Sequence, residues 1–219
     1  MPIADVSTGL TVDPIGARAA KPAHLSAPSL RERLRAGTAP AHASLDRRLA
    51  ALDLRRMPEY RAFLDASAVA LLPLEAALVE AGVTDLFPDW PLRTRASAIL
   101  DDLARVGGQA RPLARSRCLT PDGILGTMYV LESLRLDARA ILAHVVQSDD
   151  PAVTQATAYL CHGTGEHLWQ SFLATLACEA AVADEAAVIA AAQQAFGLFD
   201  TAVARFCPAS QLGCEPIHS

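Results

Sequence analysis

Lysine is nearly absent from this 219-residue chain: Lys21 stands alone against 18 arginines. With a net charge of −5 and no basic stripe, the chain has no electrostatic footprint for nucleic acid, and no such partner is expected. Aromatic residues are only 5%, which argues against the strand-rich composition of a β sandwich or barrel. No run of about 18 uncharged apolar residues occurs, so no membrane span is expected. The N-terminus has neither the basic region nor the apolar run of a secretory signal. Cysteines are few and odd in number: Cys118, Cys161, Cys178, Cys207 and Cys214. Their scattered spacing fits a reduced, cytoplasmic protein better than a disulfide framework. Glycine is scarce as well, 12 in all, with none between Gly126 and Gly163.

What remains is helix-forming. The chain holds 44 alanines and 30 leucines, and 52% of its residues are hydrophobic. Ala and Leu lead the helix-propensity scale, so the expected class is all-α. Residues 1–28 mix Pro2, Pro14, Pro22 and Pro28 with small residues and show no apolar period, as expected of a poorly ordered leader. Helical spacing begins at Ser29-Leu30 and runs to about Leu54, with a break expected at Gly37 to Pro40 and Thr38 capping the new start. A second helix opens near Pro58 and stops at Gly82. Another runs from about Leu92 to Val106. Thr120-Pro121-Asp122 is a helix start, followed by about seven turns of apolar spacing to Val145. Shorter helices are expected at about 151–161 and 165–180, and a last one from near Asp184 to Phe206. The reading is one all-α domain of seven or eight helices over 29–206, with a loose tail at 207–219.

Two segments carry candidate chemistry. His42 and Asp46 are four residues apart, so on a helix they share a face. A carboxylate accepting the imidazole Nδ1–H would fix the tautomer and leave Nε2 for a metal; the plain alternative is an incidental pair on a solvated helix. The second segment is Cys161-His162-Gly163-Thr164-Gly165-Glu166-His167. Cys and His suit zinc, but the spacing lacks a matching pair, and the two glycines read as a helix junction. No dinucleotide fingerprint, P-loop or nucleophile elbow is present.

The motifs then fall into a familiar order. Leu30-Arg-Glu-Arg-Leu-Arg35-x-x-Thr38-x-x-x-His42-x-x-x-Asp46 resembles the proximal helix of heme oxygenases, particularly the bacterial biliverdin-forming kind associated with bacteriophytochromes. Tyr60-Arg-Ala-Phe63-Leu64 with Pro73-Leu74-Glu75, Arg95 to Asp102-Leu103, Gly126-Thr-Met-Tyr129-Val-Leu131-Glu132, Gly165-x-x-x-Trp169-x-x-Phe172 and the Phe196 to Phe206 helix follow in family order. The resemblance covers about residues 30–206. It implies a heme-oxygenase-like helical bundle in which His42 is the axial ligand of heme iron and Asp46 orients it. Arg35 would pair with a heme propionate, since its planar fork meets a carboxylate bidentately, and Thr38 would belong to the same binding helix. Heme would be both cofactor and substrate, with O₂ consumed and biliverdin, CO and ferrous iron released. Implied partners are an electron-donating reductase or ferredoxin and a bacteriophytochrome as biliverdin acceptor.

The sequence departs from that family where the distal helix should carry spaced glycines. Glycine serves there because backbone must come close to the ligand and the helix must bend. Aligned on Leu131-Glu132, this chain has Ser133 and Asp137 instead. Three consequences are open: Asp137 crowds out heme, it ligates iron or hydrogen-bonds the bound oxygen and favours peroxidase-like chemistry, or the helix shifts and oxygenase activity survives. A further alternative turns Asp137 to solvent, paired with Arg139 or Arg135 on a straight helix. The competing functions are therefore heme cleavage, heme binding without ring opening, and a helical binding domain without heme.

Overall fold

The computed structural model describes residues 28–109 and 119–207. The leader up to residue 27, the tail from residue 208, Cys118 and Cys214 lie outside the described residues. Among those described there is no strand. Six helices of ten or more residues build the bundle: α1 (Leu30–Ala50), α2 (Met57–Glu80), α5 (Ala96–Arg105), α6 (Pro121–Val145), α9 (Leu168–Glu179) and α10 (Glu185–Phe206). Four single-turn segments join them: α3 (Val83–Leu86), α4 (Trp90–Arg93), α7 (Pro151–Gln155) and α8 (Ala158–Cys161).

Helix starts follow local capping chemistry. Ser29 and Glu32 form a reciprocal capping box at α1. Thr120 accepts from the Gly123 N–H at α6, and Asp184 accepts from Ala186 and Ala187 at α10. The expected break in α1 is absent. The helix runs unbroken through Pro40, and Thr38, instead of capping, is buried inside it with its hydroxyl donating to Leu34 O at 2.8 Å. Packing against α10 overrides the proline: a Cβ on Gly37 would lie 2.8 Å from Ile189 Cγ2, and Gln193 donates to Gly37 O at 2.8 Å.

α10 is the central column, packed against α1, α2 and α6. Gly126 allows the closest approach, because a Cβ there would sit 2.2 Å from the Val188 carbonyl oxygen. α2 and α10 are both long and apolar enough to cross a membrane. Most of the apolar window of α2 is buried in the bundle; 39% of that of α10 is, where Val188, Ala192, Phe196, Phe199 and Val203 line one buried face.

Two buried carboxylates act as caps across the fold. Glu75 on α2 accepts from the Arg95 N–H at 2.7 Å and the Ala96 N–H at 3.1 Å, closing the start of α5. Asp102 on α5 accepts from the Ala158 and Tyr159 N–H groups at 3.0 and 2.7 Å, closing α8. Burial pushes the Asp102 carboxyl above its ordinary range, and those two backbone bonds work against it.

Candidate functional site

α1 and α6 face one another across a slot, and His42, Asp46 and Asp137 are the candidate residues that come together there. His42 projects from α1, half-buried, its ring stacked on Phe196 of α10 with centroids 5.0 Å apart. Across the slot, Asp137 Oδ2 on α6 lies 3.0 Å from His42 Nε2. Asp46 Oδ1 lies 3.6 Å from the same nitrogen, beyond hydrogen-bond reach. The geometry thus reverses the sequence expectation for this pair. Nε2, expected to be free, donates to Asp137, and Asp46 contributes only its charge. The Asp137 hydrogen bond is the main reason the imidazole pKa is raised; partial burial opposes it, and the Asp46 and Asp137 charges add to it.

Asp137, though partly exposed, therefore bonds across the slot to His42 and pairs with neither Arg135 nor Arg139. Ser133, one turn earlier on α6, donates to its own helix at Val130 O, 3.0 Å away. The helix is continuous through both positions. Arg35 is exposed two turns before His42, and its side chain makes no hydrogen bond or ion pair with any described residue. Thr38 is buried and spent on Leu34 O, so its hydroxyl does not reach the slot.

Beside the His42–Asp137 contact lies a mostly apolar cavity of about 240 Å³, walled by Leu45, Phe63, Leu134, Ile141, Tyr159 and Phe199, with Asp46 and Asp137 also in its lining. A wider hollow of about 690 Å³ shares Leu49, Ala140 and Ile141 with it and extends along the ends of α1 and α6. Small-molecule pockets usually measure roughly 300–1,000 Å³, so the inner cavity is small while the trough as a whole is not.

The second segment behaves as the glycines suggested. Gly163 and Gly165 have φ of 73° and 90° and turn the chain between α8 and α9. His162 Nδ1 lies 2.9 Å from Arg135 NH1, and its pKa is lowered by burial first and by the Arg135 and Arg95 charges next. Cys161 and His167 are exposed, and no three His, Cys, Asp or Glu groups among the described residues could hold a metal ion.

Sequence reasoning missed a buried charge network that fixes α6 beside the slot. Glu132 is fully buried between Arg93, at 2.9 Å, and Arg135, at 3.0 Å. Arg93 also meets both oxygens of Asp89 at 2.7 and 2.8 Å, and Arg135 donates to Arg93 O at 2.7 Å. The excess of arginine over lysine was the available signal, because the planar guanidinium suits buried, many-bonded ion pairs. The Phe196 ring under His42 was also unforeseen; its place on the buried face of α10 was legible, its neighbour was not.

No family model and no curated protein sequence matches the chain. Among solved structures, the NO- and CO-bound heme oxygenase from Neisseria meningitidis matches with a TM-score of 0.70. The match covers 82% of this chain and 92% of that one at 19% sequence identity. The chain has the all-α fold of a heme oxygenase.

Proposed function

We propose that the chain binds heme in the slot between α1 and α6, with His42 as axial ligand, and opens the ring to biliverdin, CO and ferrous iron. The observation that carries this reading is the opposition of His42 and Asp137: the imidazole points across the slot at the α6 position where the resembled motif has its second glycine. The donor chemistry that suits heme is a single imidazole stacked on Phe196 beside a mostly apolar cavity, with the Asp46 and Asp137 carboxylates also flanking it. Two things must give way, because Asp137 holds Nε2 and the inner cavity is smaller than a porphyrin needs.

When bound, heme would supply O₂ activation at its iron and the macrocycle that is oxidised. The chain's own residues have narrower tasks. His42 binds, Phe196 keeps its ring plane, Asp46 adds negative charge near Nε2, and Arg35 is the exposed cation suited to a propionate. Asp137 lines the far side, and Ser133 stands one turn earlier on α6 with its hydroxyl on Val130 O. Electrons would come from a reductase or ferredoxin, a bacteriophytochrome would accept biliverdin, and the compartment would be the cytoplasm. The test is turnover: the hemin complex supplied with ascorbate or a reductase should lose its heme absorption and gain that of biliverdin, with CO released. A stable heme spectrum under those conditions refutes cleavage.

The Asp137 carboxylate favours a second reading, in which heme is held without ring opening, as in a carrier or peroxidase-like protein. A carboxylate and a hydroxymethyl group stand where the resembled motif offers bare backbone. On this reading Ser133→Gly with Asp137→Gly converts a heme-binding but inert protein into one that forms biliverdin. A double variant that binds heme and stays inert removes the distal side chains as the cause.

A further inference from the structure

The geometry points to Asp137 as a latch on the His42 ligand position: its carboxylate holds the nitrogen that a tetrapyrrole iron would take, so any ring that fills the slot must first break this bond. The inference rests on the heme reading above and adds a closing contact that every tetrapyrrole must break.

Three observations support it. His42 Nε2 is engaged from the opposite helix at 3.0 Å, so the contact ties α1 to α6 across the slot. The imidazole is stacked on Phe196 at 5.0 Å, which restricts the ring from swinging away to offer Nε2 elsewhere. The cavity beside the pair holds about 240 Å³, less than a porphyrin needs, so a ring must widen the slot where the pair joins its sides. No other described residue takes Nε2 within hydrogen-bond distance, and Asp46 at 3.6 Å is a spectator until Asp137 leaves.

Breaking the latch costs the same for every ring. What differs is the return. An iron porphyrin regains an interaction at Nε2 through the metal, whereas a metal-free tetrapyrrole leaves the imidazole unpartnered beneath it. Metal-free rings, including a ring-opened product, are therefore held weakly, and the latch recloses behind them. Any ring that binds only the open slot shifts the pair toward open; the metal adds to the affinity for hemin and leaves the cost of the latch unchanged.

The pair is partly exposed, 31% for His42 and 43% for Asp137, so its worth is that of a surface ion pair rather than a buried one. Removing it should tighten both hemin and metal-free protoporphyrin IX by the same factor, about five-fold, or about 1 kcal/mol at 1.4 kcal/mol per tenfold. Hemin affinity is read from absorption and protoporphyrin affinity from porphyrin fluorescence, on the full chain, with circular dichroism to show that each variant is folded. Asp137→Ala should tighten both ligands equally. His42→Ala should move them in opposite directions, tightening protoporphyrin about five-fold while weakening hemin. If wild type binds hemin through His42 and Asp137→Ala changes neither affinity, the latch falls and the heme reading stands. If Asp137→Ala tightens hemin alone, Asp137 acts on the iron and not on closure, which also overturns the latch. If no form binds hemin, both fall together.

Discussion

Glu132→Ala should be the most damaging single change on α6. Its carboxylate is fully buried and bonded to Arg93 at 2.9 Å and to Arg135 at 3.0 Å, side chains that are 0% and 9% exposed. After truncation, Arg93 keeps Asp89 and Ser171, at 2.7 and 3.0 Å. Arg135 keeps only the Arg93 and His162 carbonyls and the His162 ring. Its guanidinium would then be buried without a carboxylate. Removing one partner of a buried ion pair costs about 3–5 kcal/mol, a large share of the roughly 5–15 kcal/mol by which domains are stable. Glu132→Gln keeps the shape and one acceptor and should cost less, about 1.5–3 kcal/mol for hydrogen bonds to charged groups. Urea unfolding followed by circular dichroism reads both, with a lowered midpoint and an unchanged slope. A cycle with Arg135→Ala should give a coupling within about 0.5–3 kcal/mol. A Glu132→Ala protein within 1 kcal/mol of wild type, with no coupling to Arg135, would refute the network as the clamp on α6.

Other outcomes follow from single contacts. Gly126→Ala should push α10 off α6, since the new Cβ would meet the Val188 carbonyl oxygen at 2.2 Å; the expected cost is about 1–3 kcal/mol by urea unfolding. His42 has a raised pKa in the folded chain, so the stability it adds is complete below its unfolded value, about 6.5, and is lost as pH rises through the folded value. Asp137→Asn should therefore lower the unfolding midpoint at pH 5.5 more than at pH 8.5, and the His42 titration followed by NMR should move down. Equal losses at both pH values would contradict the contact.

Much of the fold was legible because helix boundaries are local chemistry. Thr120-Pro121 and Asp184 mark their helices by capping, and α6 and α10 begin where those residues place them. The failure at Pro40 has the opposite cause: α10 lies against Gly37 and holds α1 through a residue that local rules make a breaker. Single-turn segments such as Val83–Leu86 are too short to carry a period, and contacts elsewhere in the chain decide them. At the site, a matching spacing was enough to set His42 and Asp46 on one face of α1. It led to the wrong ring nitrogen, because which one is engaged depends on how near α6 comes. Asp137 reads as facing the slot, with a turn to solvent as the alternative, and only the α1–α6 separation sends it to His42.

The central claim is that His42 is a ligand position for heme. Hemin titration of the wild-type chain and of His42→Ala, followed by absorption, tests it most directly. A Soret band of one-to-one stoichiometry is expected in wild type, with its loss or marked shift in His42→Ala. A wild-type chain with no Soret band, or one identical in His42→Ala, would contradict it.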